Sequence, residues 1–156
     1  MKRVMLMLMT VLTFSLSAWC QKSSVMMMGE ACLRSSNMPH VKTMLLNEGL
    51  TVNKTSELNN SMNIVYENNA DSSYDKLFVV VDKYPNTKTL KEIKFLFPAS
   101  GKFYKQWSVE NKQWGYKYAP NGKNSDEYRE VYSNGNGQYI GANLNNKGWI
   151  ELTFYK

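Results

Sequence analysis

Gly135, Gly137 and Gly141 crowd into the run SNGNGQYIG, and a glycine-rich loop of that kind can wrap its N–H groups around a phosphate. The spacing is GxGxxxG, not the dinucleotide fingerprint GxGxxG, and a phosphate loop must lead into a helix. This one leads instead into Ile140, Ala142 and Leu144 alternating with polar residues, the pattern of a strand. Asn134-Gly135 and Asn136-Gly137 are hairpin dipeptides, and Asn145, Asn146 and Gly148 repeat the device one strand later. These glycines read as turns.

Nucleophilic catalysis needs a base within reach of the nucleophile. The one histidine, His40, stands eight residues beyond Cys32, and Pro39 breaks the helical spacing that would bring the two together. Structural zinc takes several Cys or His ligands at short spacing, which the chain does not have. The acidic run SDEYRE lacks the alternating oxygen ligands of a calcium loop. No catalytic residue, metal site or cofactor is expected. Glu127, Glu130 and Glu151 are carboxylates that could serve a glycoside hydrolase, but only at a set separation. A small hydrolase built on them is the third reading of function.

The feature above background is aromatic, 13% of the residues. Displaying aromatic rings in common takes a sheet, and the chain supplies one. LTVNKTSEL, SMNIVYENN, DKLFVVVDK and TLKEIKFLF read as four strands. GYKYA, EYREVYS, QYIGANL and GWIELTFYK read as four more. In the strand TLKEIKFLF, Ile93, Phe95 and Phe97 point one way and Glu92 and Lys94 the other, so one face is buried.

Helical spacing precedes each set of strands. Val25, Met28 and Cys32 share a face, as do Val41, Met44 and Leu45, with Ser35 to Asn37 and Pro39 interrupting. The reading is two helices and a short turn, stopped by Gly49. Met26 to Met28 could ligate a metal or adapt to a partner; core filling is the plainer account. After Pro98 a further helix is expected, capped by Ser100, with Phe103, Trp107 and Trp114 on one side and Gly115 as its stop.

The two halves also match in detail. NIVYENN echoes REVYSNG, and LKEIKFLF aligns with WIELTFYK, which sets Glu92 on Glu151, Ile93 on Leu152 and Phe95 on Phe154. The expected fold is α+β: a curved antiparallel sheet of about eight strands from two α-plus-β4 repeats, residues 22–98 and 99–156, with helices on one face. A single β-rich sandwich or barrel behind an N-terminal helical segment is the alternative. In architecture alone, the two-repeat arrangement resembles that of the β-lactamase-inhibitor proteins. No residue motif carries the likeness, so it implies no site.

The first twenty residues read as a secretory signal peptide: Lys2 and Arg3, an uncharged apolar run from Val4 to Ser17, then small Ala18 and Cys20 before Gln21. The apolar run falls short of the roughly 20 residues that span a bilayer. Two alternatives stay open at this site. Cys20 could be the lipid-bearing residue of a lipoprotein, although Trp19 is bulky for that place. A cut after Ala18 would instead leave Cys20 to pair with Cys32. Residues 21–156 then form one domain, periplasmic or extracellular, or held at the outer membrane by lipid, with no transmembrane segment after processing. The formal charge of +6 is carried almost wholly by scattered lysines; only Arg34 and Arg129 are arginines outside the leader. That argues against nucleic acid as a partner.

In the last strand Ile150, Leu152 and Phe154 are expected to face the core, and Trp149, Glu151, Thr153 and Tyr155 to face outward. Tyr139 joins them, and Tyr128, Glu130 and Tyr132, with Tyr116 and Tyr118 beside them, are expected to extend the surface. Aromatics interspersed with charge suit an interaction face. The expected function is therefore a non-catalytic binding protein of the bacterial envelope or exterior, an inhibitor, immunity factor or assembly accessory. Its site would comprise Trp149, Tyr139, Tyr155, Glu151, Tyr128 and Tyr132, and its partner would be another exported or envelope protein. A carbohydrate-binding module stacking sugars on the same rings is the alternative. Expressed in a bacterial host, the chain should be recovered outside the cytoplasm with a mass that begins at Gln21; a cytoplasmic product retaining residues 1–20 would remove the export reading.

Overall fold

The computed structural model of the chain describes residues 23–58 and 61–156. The expected leader, its cleavage site and Cys20 lie outside them. Two helices open the described chain, α1 (Val25–Ser35) and α2 (Met38–Asn47). Four strands come next: β1 (Leu50–Leu58), β2 (Ser61–Asn68), β3 (Phe78–Lys83) and β4 (Leu90–Pro98). Helix α3 (Lys102–Gln113) then leads to β5 (Lys117–Tyr118), β6 (Glu130–Ser133), β7 (Tyr139–Leu144) and β8 (Trp149–Tyr155). No helix among the described residues is long and apolar enough to cross a membrane.

Caps explain where α1 and α2 divide. The Ser24 hydroxyl accepts from the Met27 N–H at 3.2 Å and starts α1. Ser36 takes a left-handed conformation and ends it, and the Asn37 side chain then caps α2, with Pro39 in the first turn. The corner is tied to the strand entering β4, since Leu90 N donates to Ser36 O and Met38 N to Lys88 O, both at 2.9 Å. Ser100 does not cap α3: the helix begins from Gly101 without a side-chain cap. Phe103 and Trp107 are buried as expected, but α3 stops at Gln113, so Trp114 leaves the helical stripe and stands partly exposed. Gly135 and Gly137 both adopt positive φ in the turn between β6 and β7, and the chain continues from them as a strand, not as a helix.

All eight strands pair antiparallel in one open sheet of order β1-β2-β3-β4-β8-β7-β6-β5. A barrel or sandwich is thereby excluded for the described residues. The order reads alike outward from the central pair, β4 and β8. Pairing there sets Ile93 against Phe154 and Phe95 against Leu152, so the two strongest apolar rows share one face. Tyr66, Val79, Val81, Ile140 and Phe97 extend that face, and α1 with Phe103 and Trp107 of α3 closes over it. Burial of such side chains stabilises by about 1.5–3 kcal/mol each.

Helix α1 comes close enough to touch the sheet because residue 29 has no side chain. A Cβ built there would lie 2.6 Å from the Phe154 ring, itself edge-on to Phe95 at 5.5 Å. Alanine in a free helix is worth about 1 kcal/mol over glycine, so propensity alone favours Gly29→Ala. Packing reverses the sign, and the substitution should cost about 1–3 kcal/mol and lower the melting temperature. An unchanged or raised melting temperature would mean that α1 is not seated on Phe154.

Candidate functional site

Alternation fixes two faces on each strand, and the buried rows identify the helix side. Val65 on β2, Phe78 and Val80 on β3, Lys94 and Leu96 on β4, and Trp149 and Glu151 on β8 therefore point to the opposite, outer face. The pairing places Val65 across from Val80, Phe78 across from Leu96, Leu96 across from Glu151, and Pro98 across from Trp149. The Phe78 and Trp149 rings meet at 5.8 Å, tilted by 39°. These side chains are half-buried, whereas Tyr66, Val79, Val81, Ile93, Phe95 and Phe97 on the helix face are sealed.

Charges border this apolar group in pairs. Lys76 reaches Glu67 at 3.3 Å, Lys94 reaches Glu92 at 3.2 Å, and Lys91 reaches Asp82 at 3.3 Å. Partial burial lowers the Lys94 pKa, but Glu92, by charge and hydrogen bond, together with Glu151 and Tyr128 outweighs it and leaves the value raised. Lys94 is thus held as a cation beside the apolar group.

Beyond β8 the outer face is not open. The loop from Ala119 to Arg129 folds back over it, held by Ala119 N to Val131 O at 2.8 Å and Arg129 N to Asn143 Oδ1 at 2.8 Å. Gly122 rests on Val131, and the Tyr155 hydroxyl donates to Lys123 O. The Tyr128 ring lies flat on Gly141, where any Cβ would overlap it. Tyr128 and Tyr139 both stack on Tyr155, each with 5.5 Å between ring centroids.

This corrects part of the expected surface. Tyr155 and Thr153 do point outward, but the loop buries both. Tyr139 and Tyr128 are half-buried at the loop's margin, while Trp149 and Glu151 lie in the open part. Tyr132 is on the wrong face: it pairs with Ile140, packs edge-on against Trp107 at 5.8 Å, and donates to Glu130 at 2.5 Å on the helix side. Val131 is the reason. It is buried and apolar, yet its cover is the loop rather than the helices, so alternation along β6 points the wrong set of side chains at the core. Tyr116 is likewise core, and Tyr118 sits beside Tyr132. Glu130 and Glu151 consequently project from opposite faces of the sheet and form no acid–base pair across one substrate.

Two groups are not legible in the sequence pattern alone. One is Phe78 and Val80, hidden because LFVVV is apolar throughout, the pattern of a strand covered on both sides. The other is Glu30, buried within α1, which accepts from the Tyr116 hydroxyl and from Gln138 Nε2 at 3.3 Å, with Arg34 Nε at 3.7 Å. Its signal is position: four residues after Met26 and three before Leu33, inside the apolar stripe. The bonds from Tyr116 and Gln138 tie α1 to the second half of the sheet. His40 is exposed, and burial, reinforced by Glu48, pushes the free Cys32 thiol up to about 12, far from a nucleophile's range.

No family model, curated protein or solved structure matches this chain. The face is therefore read from its own geometry.

Burial raises the phenols of Tyr116 and Tyr155 above the ordinary 10.0, with the bond to Glu30 and its charge adding to the first and nearby Tyr128 and Glu127 to the second. Folded chains then keep protons that unfolded chains lose above pH 10. This stability is complete below pH 10 and declines as pH rises, by at most about 1.4 kcal/mol per pH unit for each phenol. Denaturant midpoints followed from about pH 9 to about pH 11 should fall, and Tyr116→Phe or Tyr155→Phe should flatten the decline. Equal slopes in wild type and both variants would refute the burial of these hydroxyls.

Proposed function

We propose that this chain is an exported, non-catalytic binding protein that grips another protein through the outer face of β2, β3, β4 and β8. The observation that carries the reading is the half-exposed group of Phe78, Trp149, Leu96, Val80 and Val65, bordered by paired charges and set opposite the helix-covered face. An apolar, aromatic centre with a polar rim is the anatomy of a protein interface. Trp149 is the anchor and Glu151 borders it, while Tyr139 lies at the far end of β8 beside Tyr155. Tyr128 and Tyr155 buttress the adjoining loop rather than touch the partner, and Tyr132 supports α3 from the other side. The partner is another exported or envelope protein, in an inhibitory, immunity or assembly role.

Protein is favoured over glycan because the stacked tyrosines that would make a sugar platform are covered by the loop, while Phe78 and Trp149 are tilted rather than coplanar. Export rests on the leader pattern, and attachment at Cys20 is the alternative address. The two units also descend, in this reading, from one duplicated α-plus-β4 segment. The offset that aligns Glu92 with Glu151 also relates Lys94 to Thr153, and those two residues face each other in the central pair, as two-fold symmetry requires.

The exported chain, residues 21–156, should retain one stoichiometric protein from the exported fraction of its own host or of neighbouring species. Trp149→Ala and Phe78→Ala should each weaken that complex by about 2 kcal/mol, roughly 30-fold, whereas Tyr118→Ala on the helix side should not. Retention that survives Trp149→Ala would rule out this face, and binding to isolated glycans with no protein partner would transfer the function to sugars.

A further inference from the structure

Three asparagines precede a glycine: Asn121, Asn134 and Asn136. In such a pair the glycine nitrogen can attack the asparagine side-chain carbonyl, because the glycine carries no Cβ to hinder the approach. Two groups must be free at once, the glycine N–H that becomes the nucleophile and the asparagine amide that swings to meet it. By sequence the three pairs stand equal. The fold separates them.

At Asn121 the nucleophile is held. Gly122 N donates to Ala119 O at 2.9 Å, and a Cβ built on Gly122 would lie 2.8 Å from Val131, so this backbone is both bonded and packed. At Asn134 both groups are held. Gly135 N donates to Ser133 Oγ at 3.1 Å, Asn134 Oδ1 accepts from Asn136 N at 2.9 Å, and Asn134 Nδ2 donates to Gln138 Oε1 at 2.5 Å. Asn136 differs. It is exposed, as is Gly137, and among the described residues neither the Asn136 side-chain amide nor the Gly137 N–H has a hydrogen-bond partner. Both lie in the turn before β7, outside the paired residues of the sheet, where the backbone can rotate without breaking a strand pair.

We propose that Asn136 is a site of intramolecular deamidation. The Gly137 nitrogen loses its proton to hydroxide and bonds to the Asn136 Cγ; the Cγ–Nδ2 bond breaks, and the nitrogen leaves as ammonia with a proton from water. Water then opens the five-membered succinimide at either carbonyl, which leaves aspartate or isoaspartate at position 136. The step consumes no oxidant, metal or cofactor. Each converted chain gains one negative charge in the turn, two residues from the Gln138 side chain that reaches Glu30.

The test is storage of the purified chain in neutral and mildly alkaline buffer, with and without denaturant. Peptide mass mapping and isoaspartate-specific methyl transfer supply the readout. In the folded chain Asn136 should convert first, roughly 10-fold faster than Asn134 or Asn121, since each of those must first break at least one hydrogen bond. Conversion should quicken as pH rises and release ammonia in equal amount. In denaturant the three sites should react at comparable rates. Asn136→Gln, which would have to close a less favourable six-membered ring, should remove the fast phase and leave the fold intact. The proposal is overturned if Asn134 or Asn121 leads in the folded chain, or if the three convert alike with and without denaturant. It is equally overturned if Asn136 stays intact in the folded chain while the denatured chain reacts.

Discussion

The antiparallel pairing of β4 with β8 is the constraint on which the rest of the molecule depends. These strands are far apart in sequence, and their register alone decides that Ile93, Phe95 and Phe97 share a face with Leu152 and Phe154. One continuous apolar surface then spans both halves of the chain, and neither half could bury its own rows alone. Helix α1 closes that surface at the join, where Gly29 admits it to contact with Phe154. Glu30 sits at the next position, so the helix that seals the core also carries the carboxylate that receives Tyr116 and Gln138 from the second half. Packing and polar satisfaction are met by adjacent residues of one turn.

Once the inner face is set, the outer face is fixed by parity, but its two ends meet different fates. Beyond β8 the chain between β5 and β6 returns as a loop and lays Tyr128 on Gly141 and Tyr155. Val131, Thr153 and Tyr155 form a small second layer of buried groups beneath it. On β2, β3 and β4 no comparable loop returns among the described residues, and Phe78, Val80, Leu96 and Trp149 stay half-open. The stacked tyrosines pack the loop onto that margin.

Strand existence is legible because alternation is a local signal, and all eight runs form strands. Helix breaks are equally legible at Ser36, Asn37 and Pro39, where capping chemistry is written into neighbouring residues. Orientation is less so. Tyr132 and Tyr116 read as outward in the sequence because an alternating run states that two sets of side chains oppose each other without stating which set meets the helices. Val131 makes the error natural, being apolar and buried on the side away from the helices. LFVVV conceals Phe78 and Val80 for the converse reason, since a strand with no polar residue offers no contrast between its faces.

By itself, then, the sequence determined the order and kind of elements, the turn chemistry that separates them, the apolar rows within each strand, and the absence of a recognisable catalytic spacing. Each of these depends on residues within a few positions of one another. The tertiary structure alone decided which strands became neighbours, which side of β6 faces α3, that a loop covers Tyr155, and that Glu130 and Glu151 point apart. Those outcomes come from contacts between residues remote in the chain, where local propensity is silent and the summed burial of the core sets the arrangement.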